Sequence, residues 1–267
     1  MFRPLYVAAT GLTAMEQEMM DITNNMANAK TVAFKGGRTE MESLFYIQKS
    51  FQSELEKAMQ RDNDVFVENP PSFGTGVKIA ATNYDFSQGK IEVTNNPLDL
   101  AVQGEGFFEV RLPDGSTAYT RAGNFHIDNE GNIVDPNGHI LEPGIIIPKE
   151  TTGIAVSQDG TIYVSINNQT TKTEIGQIHL VRFTNVNGLK SLGQNLFAAT
   201  QVSGAAESGT ASQDGYGGIS QYSLEQSNVN VISELMRMVT VQRVFDTITK
   251  AVQSYENMLS SLQNIRS

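Results

Sequence analysis

Residues 238–262, MVTVQRVFDTITKAVQSYENMLSSL, carry apolar side chains at alternating intervals of three and four positions. This spacing is typical of a helix whose narrow apolar stripe packs against another helix, whereas a helix lying on a globular core has a broader apolar face. The stripe consists of Met238, Val241, Phe245, Ile248, Val252, Tyr255, Leu259 and Leu262. The end of the chain is therefore predicted to form a helix with a helical partner.

The beginning of the chain has the same spacing, and its stripe consists of Leu5, Ala8, Leu12, Met15, Met19, Ile22 and Met26. We predict helices over residues 5–28 and 232–265 that pair, as in a coiled coil, with each other or with helices of other chains. The two stripes without Ala8 and Met238 are called the polymerisation seam. The alternative is that both are ordinary amphipathic helices docked on their own domain. Two helices that pack only against each other bury too little apolar surface to offset the conformational entropy lost when they form. We therefore expect the ends to fold fully only when neighbouring subunits cover them.

Between the ends the apolar period changes to two, which is typical of β-strands. Turn sequences such as Pro113-Asp114-Gly115 and Pro136-Asn137-Gly138 separate the runs, with glycine where a positive φ is needed. Candidate strands are 77–83, 90–94, 98–102, 106–112, 118–120, 133–134, 145–147, 154–156, 161–164 and 177–183. Many short strands favour an antiparallel sandwich or barrel-like domain. The predicted fold class is α+β, with an inner layer of paired helices and an inserted all-β domain.

Two further stretches fit neither period. One contains the charged residues 40–61, which fit a helix, and the other is rich in Ser, Gly, Ala and Gln. The predicted segments are an N-terminal helix (1–30), a connection with a brace (31–75), the β domain (76–204), a second connection (205–228) and a C-terminal helix (229–267).

The composition excludes several classes of protein. The net charge of −10, from 29 acidic and 19 basic residues without a basic stripe, argues against nucleic acid as a partner. The absence of cysteine rules out disulfides and thiol chemistry. No stretch has the roughly 20 apolar residues that cross a bilayer, and the apolar run after Arg3 is shorter than a signal-peptide core. We expect no direct membrane insertion and no cleaved signal.

No motif in the chain predicts chemistry. Gly104-Glu105-Gly106 lacks the third glycine of a dinucleotide fingerprint and precedes a strand, so it indicates a tight turn. The three histidines are far apart, and the acidic residues around Asp128 lack the remaining ligands of a calcium loop. We expect no catalytic, cofactor-binding or metal-binding residues and no cofactor. A soluble β-rich binding module and a hydrolase with an unrecognised site remain as alternatives.

Three blocks of sequence resemble the flagellar rod and hook family, the axial proteins of the bacterial flagellum. The first block is residues 22–28, ITNNMAN, with Phe34-Lys35, which is similar to the family's S-N-N-L-A-N and later G-F-K. The second is residues 103–123, which are similar to its central β domain, and the third is residues 227–245, which are similar to its C-terminal block. The family-motif residues are Asn24, Asn25, Ala27, Asn28, Phe34, Lys35, Ser227, Asn228, Val229, Asn230, Gln242 and Arg243. The departures, Thr23, Met26, Ala33 and Phe245, bear only on local packing.

The resemblance implies a structural subunit of a helical tube in the basal body, exported through the flagellar type III apparatus and spanning the periplasm. It implies that the partners are other copies of the chain, proximal rod proteins, the hook protein and the surrounding ring proteins. Residues 42–73 and the chain length favour the distal part of the rod, with a proximal rod or hook subunit as the alternative. Residues 42–73 are expected to act as a brace between subunits.

Overall fold

Helices lie at both ends of the chain. A computed structural model describes residues 3–48, 72–166 and 172–266. Helix α1 is Arg3–Ala27 and helix α2 is Val231–Arg266. The prediction of a helix at each end is confirmed, and so is the α+β class, because antiparallel strands fill the described chain between them. Coiled-coil pairing and the sandwich or barrel arrangement stay predictions.

The chain folds into two compact units, each made of segments that are distant in sequence. The first, called the helical unit, contains Met1–Asn24, Arg38–Asn83 and Ile232–Ser267. The second, called the β unit, contains Asn25–Gly37 and Tyr84–Val231. The β unit therefore includes the last residues of α1 and the segment that leads into α2.

Four strands accompany the two helices early in the chain. They are β1 (Gly37–Ser43), β2 (Tyr46–Gln48), β3 (Ser72–Gly74) and β4 (Val77–Tyr84). Strand β1 pairs with β4, and β2 pairs antiparallel with β3, with Tyr46 opposite Gly74. The N–H of Leu44 donates to the carbonyl of Gly76 at 2.8 Å, which links the two ladders.

The expectation of a helix over residues 40–61 is wrong for residues 40–48. Thr39 and Met41 are half-buried in β1, whereas the flanking Glu40 and Glu42 are exposed. That alternation is a strand pattern, but the charged residues on the exposed face hide it from a search for apolar runs. Residues 49–61 lie outside the described residues.

The β unit contains sixteen further strands within the described residues. They are β5 (Ile91–Val93), β6 (Leu100–Gln103), β7 (Phe107–Arg111), β8 (Thr117–Thr120), β9 (His126–Ile127), β10 (Ile133–Val134), β11 (Ile140–Leu141), β12 (Thr151–Val156), β13 (Thr161–Ile166), β14 (Thr173–Gln177), β15 (His179–Arg182), β16 (Lys190–Gly193), β17 (Leu196–Ala198), β18 (Glu207–Thr210), β19 (Gly218–Gln221) and β20 (Ser223–Glu225).

The largest sheet of the β unit has nine strands in the order β16-β17-β8-β7-β11-β10-β9, with β15 bridging β7 and β18. A second sheet has the order β12-β13-β14, and the pairs β19-β6 and β20-β5 complete the unit. The turns predicted at Gly115 and Gly138 have the expected positive φ, +82° and +88°. Hairpins therefore account for much of the connectivity between neighbouring strands.

Most predicted strands coincide with observed ones, and two differ. Residues 145–147 form only an isolated bridge, between Ile146 and Asn132, although Ile145 and Ile147 are buried. The run 177–183 is interrupted at Ile178, whose N–H donates to the carbonyl of Gly160 at 2.8 Å and so leaves the ladder. Apolar runs thus located the core correctly but overstated the length of regular pairing.

The Ser- and Gly-rich residues 205–228 contain three strands that the sequence pattern did not predict. Strand β18 pairs with β15, β19 with β6, and β20 with β5. Small side chains give no alternation of apolar and polar residues, yet their backbone groups complete ladders like any others.

The β unit is held by two groups of apolar side chains. The main core is centred on fully buried side chains of β6, β7, β13 and β15, such as Leu100, Phe108 and Ile162. The second group, called the aromatic cluster, consists of Tyr84, Phe86, Phe107, Tyr119, Phe183 and Phe197. Its rings meet edge to face at centroid distances of 4.8 to 6.5 Å, a geometry that stabilises aromatic packing.

Candidate assembly surface and chain-end ion cluster

Helix α2 is apolar along one side for most of its length. Val241 is buried, and Ile248, Val252, Tyr255 and Leu259 are half-buried. These positions lie within a narrow angular range because successive residues rotate by about 100° around a helix. The C-terminal half of the polymerisation seam is therefore one face of a helix, as predicted. Phe245 belongs to it but is exposed, and the side chain of Leu262 lies outside the described residues.

The opposite side of α2 is also apolar in its first turns. Ile232 and Met236 are 71% and 70% exposed, and Leu235 and Val239 are nearly half exposed. Their spacing of i, i+3, i+4 and i+7 puts them on one face, about 180° from Val241. These four residues are called the α2 stripe. This spacing is visible in the sequence, but the longer stripe through Val241 dominates the apolar pattern of α2 and hides it.

Helix α1 contributes the other half of the seam. Ile22 is buried, and the remaining members are half-buried: Leu5, Leu12, Met15, Met19 and Met26. Two contacts join α1 to α2 within one chain. Arg237 donates to Glu18 at 2.9 Å, and a Cβ placed on Gly11 would lie 3.5 Å from the Ile248 side chain. Part of the seam is thus occupied within the monomer.

The two family-motif blocks meet in the β unit at a buried cluster of charges. The ammonium group of Lys35 lies 2.6 Å from Glu225 Oε1 and donates to the carbonyl of Ser87 at 2.7 Å. Both charged side chains are fully buried. Glu225 Oε2 lies 3.8 Å from Arg121 Nη1. Lys35, Ser87, Arg121 and Glu225 are called the ion cluster, and its members come from four separate stretches of sequence.

Asparagine side chains surround the ion cluster with backbone hydrogen bonds. Asn228 Oδ1 accepts from Gly36 N at 3.0 Å, and its Nδ2 donates to the carbonyl of Asp85 at 2.7 Å. Asn25 makes a reciprocal pair of 2.9 Å hydrogen bonds with the N–H and carbonyl of Gly37. The amides of Asn25 and Asn228 thus bind the backbone of extended segments. They fix the segments next to α1 and α2 in one unit.

Burial governs the electrostatics of the ion cluster. Desolvation lowers the pKa of Lys35, and the adjacent Glu225 carboxylate opposes that effect. Desolvation also lowers the pKa of Arg121, again opposed first by Glu225. Because two cations share one fully buried anion, the cluster carries an excess of positive charge.

The remaining family-motif residues are not members of the ion cluster. Phe34, Asn28, Ser227 and Val229 are half-buried close to it in sequence, and Asn24, Ala27, Asn230, Gln242 and Arg243 are exposed. Lys35 is a family-motif residue, whereas its counter-ion Glu225 was not among the predicted site residues. A buried lysine requires an acidic partner, but nothing in the sequence indicates which of the 29 acidic residues provides it.

The described residues contain no arrangement suited to metal chemistry. Within the three described ranges, no group of three or more His, Asp or Glu side chains could hold a metal ion. Asp128 accepts hydrogen bonds from the N–H groups of Glu130 and Asn132 at 2.8 Å, so it stabilises a turn. No helix in the described part of the chain is long and apolar enough to cross a membrane.

Comparison with known proteins points to one family. Residues 101–164 match the model of the flagellar hook protein FlgE/F/G D1 domain, and residues 220–265 match that of the flagellar basal body rod FlgEFG protein C-terminal region. The chain is 37% identical to the flagellar basal-body rod protein FlgG of Caulobacter vibrioides over 265 residues, 98% of this chain and 99% of that protein. It is 37% identical to FlgG of Borreliella burgdorferi, covering 100% and 99%, and 32% identical to FlgG of Bacillus subtilis, covering the whole of both chains.

Proposed function

Since the chain belongs to the flagellar basal-body rod protein family and is a structural subunit of the rod rather than an enzyme, we propose that its copies polymerise into a stiff helical tube that transmits torque from motor to hook. In this proposal α1 and α2 form the inner layer of the tube and the β unit forms the outer layer. The contacts between copies are made first by the helices.

The α2 stripe is the observation that carries this proposal. The contacts with α1 lie on one face of α2, and Leu235, Met236 and Val239 are exposed on the opposite face, where a helix of another copy would pack. Complete burial of a large apolar side chain is worth about 1.5–3 kcal/mol, so four of them could stabilise a contact between subunits substantially. An exposed apolar face on a terminal helix is expected of a polymerising subunit.

The extent of the matches to rod proteins supports the assignment of this subunit to the distal part of the rod. The relatives named above, all basal-body rod proteins, are matched along at least 98% of this chain and 99% of their own length. The proposal therefore places the subunit in the distal part of the rod, spanning the periplasm after type III export. Proximal rod proteins, the hook protein and ring proteins are its proposed neighbours. Residues 42–73, of which 49–71 lie outside the described residues, are the proposed brace.

A charge on the α2 stripe tests the proposal. We expect Met236→Asp to abolish polymerisation of the full-length protein at concentrations where the parent forms rods, because the charge would be desolvated between subunits. Rods are counted by electron microscopy and sedimentation, and circular dichroism confirms folding. Gln253→Asp is the matched control, since it adds the same charge at an exposed position of α2 beyond the stripe. Normal polymerisation by Met236→Asp would refute the role of the stripe.

A further inference from the structure

A cleft opens beside the ion cluster in the β unit, and no step of the helical polymerisation uses it. Its volume is about 840 Å³. Its walls are residues 84–87, 105–107, 182–184 and 186–187, with Glu207 at the rim and Arg121 at the base. The cleft is large enough for a few residues of a protein chain rather than for a single side chain.

Arg121 is the polar group that makes this cleft a binding site. Its residue surface is only 6% exposed, yet its Nε and Nη1 make no hydrogen bond in the structure. The nearest acidic oxygen is Glu225 Oε2 at 3.8 Å from Nη1, beyond hydrogen-bonding distance. Oε1 of the same carboxylate already accepts from Lys35 and from Gly89 N. A buried guanidinium with unpaired donors is costly, so the base of the cleft favours a guest that offsets its charge.

The charges select an anionic guest. Lys35 and Arg121 together carry two positive charges against the single carboxylate of Glu225, all three being almost completely buried. The Glu105 carboxylate attracts Arg121 from the cleft wall and raises its pKa, but Glu105 itself is exposed. The exposed Asp85 carboxylate attracts Lys35 in the same way. The excess positive charge is therefore offset only by solvated groups, and a buried carboxylate would offset it better.

The aromatic side chains that line the cleft favour apolar groups next to the carboxylate of the guest. The guanidinium carbon of Arg121 lies 5.2 Å from the centre of the Phe107 ring, and Phe86 and Phe183 line the same cleft. When a guanidinium packs against an aromatic ring, its N–H groups point outward along the edge of the guanidinium plane. Two of them can then donate to both oxygens of one carboxylate. The aromatic walls favour apolar atoms beside that carboxylate.

We propose that this cleft binds an Asp or Glu side chain, flanked by an apolar residue, from a neighbouring copy of this chain. A second copy fits because acidic residues outnumber basic ones by 29 to 19 in the chain, so each copy has carboxylates to offer. The acidic rim residues Asp85, Glu105 and Glu207 disfavour multiply charged anions such as phosphate. The inference rests on the proposed polymerisation but uses a surface separate from the α2 stripe.

The test separates the cleft from the helices by using full-length protein that carries Met236→Asp. We expect this protein to form weak, concentration-dependent dimers in sedimentation velocity experiments, because the cleft is intact. Adding Asn187→Glu, an exposed change on the cleft wall, should weaken dimerisation about tenfold by like-charge repulsion. Gln213→Glu, an exposed change on a turn outside the cleft, should leave it unchanged.

The probe N-acetylglutamic acid α-amide, which carries a single carboxylate, should compete with dimerisation and shift the arginine side-chain NMR signals of the Met236→Asp protein. An entirely monomeric Met236→Asp protein, or dimers indifferent to Asn187→Glu, would overturn the inference. Binding of N-acetylglutamic acid α-amide without any dimer would show a site for free carboxylates and would also overturn the assignment of a second copy. Rods formed by Met236→Asp itself would instead refute the role of the α2 stripe, so the two failures are distinguishable.

Discussion

The two units of the chain are stabilised very differently. In the β unit, eighteen buried residues form one continuous core, joined by the aromatic cluster and the ion cluster. In the described part of the helical unit, the buried hydrophobic residues are Ala14, Ile22 and Val241. A core of the first kind maintains a fold alone, whereas helices of the second kind gain most of their stability from packing against neighbours. The comparison teaches that the stability of the fold resides in the β unit, and the proposed assembly assigns the contacts between copies to the helices.

The largest effect should come from breaking the ion cluster. We expect Glu225→Gln to lower the free energy of unfolding of the β unit by about 3–5 kcal/mol, because it leaves Lys35 and Arg121 buried without their counter-ion. Chemical denaturation of the full-length protein measures this loss. Glu207→Gln is the control, since that carboxylate is 60% exposed and lies 3.9 Å from Arg182, so its change should stay within about 0.5 kcal/mol. Equal stability of the two variants would contradict the comparison.

A seam substitution should give a smaller effect on stability and a separate effect on assembly. Leu259→Asp is expected to prevent polymerisation while the unfolding transition of the β unit remains unchanged. The reason is that Leu259 is a half-buried residue of α2 and does not belong to the core of the β unit. The loss of helical stability should be about 1–2 kcal/mol, from partial exposure of one apolar side chain. Circular dichroism and sedimentation measure the two effects. Ser260→Asp, at an exposed neighbouring position, should polymerise normally. Normal assembly by Leu259→Asp would count against the seam.

The smallest effect should be the dependence of the stability of the β unit on pH, which tests how burial acts on the ion cluster. Burial holds the pKa of Lys35 below its ordinary value of 10.5 in the folded protein. Between the folded pKa and 10.5 the unfolded chain binds more protons, so stability should rise with pH across that window. Below the folded pKa the cost of burying the charge is fully present. We expect Lys35→Met to remove this rise in denaturation experiments from pH 7 upward.

Lys78→Met provides the control for the pH experiment. Lys78 is 55% exposed and lies 3.0 Å from Glu42, so its removal should leave the slope of stability against pH unaltered. A slope that is the same for Lys35→Met and the parent protein would show that another group is responsible.

Local periodicity was sufficient to predict the helices and most of the strands. The heptad spacing around Val241 and Ile22 describes contacts within a few turns, which depend on neighbouring residues alone. Strands such as β7 and β13 are continuous apolar runs bounded by turn residues, and they too are predictable locally. The strand β1 was missed because its exposed face is fully charged.

The ion cluster could not be predicted in the same way. Lys35 and Glu225 are brought together by the pairing of β20 with β5 and by the hydrogen bonds of Asn228, none of which has a short-range signature. The α2 stripe is a different case, because its spacing is local and was overlooked beside the longer stripe. The ion cluster was thus not predicted because its contacts are long-range, whereas the α2 stripe was not predicted because only one apolar stripe was considered on each helix.

The contact between Lys35 and Glu225 has a consequence for the order of folding. The two residues are separated by 190 positions, and closing a loop of that length costs roughly 5 kcal/mol of chain entropy. Such a contact forms late, after the nearer strand pairs have shortened the effective loop. Residues 25–37 therefore reach their final positions only once β20 has been synthesised and paired. A chain interrupted before that point would retain α1 without its anchor, so the two ends mature together as the final step of folding.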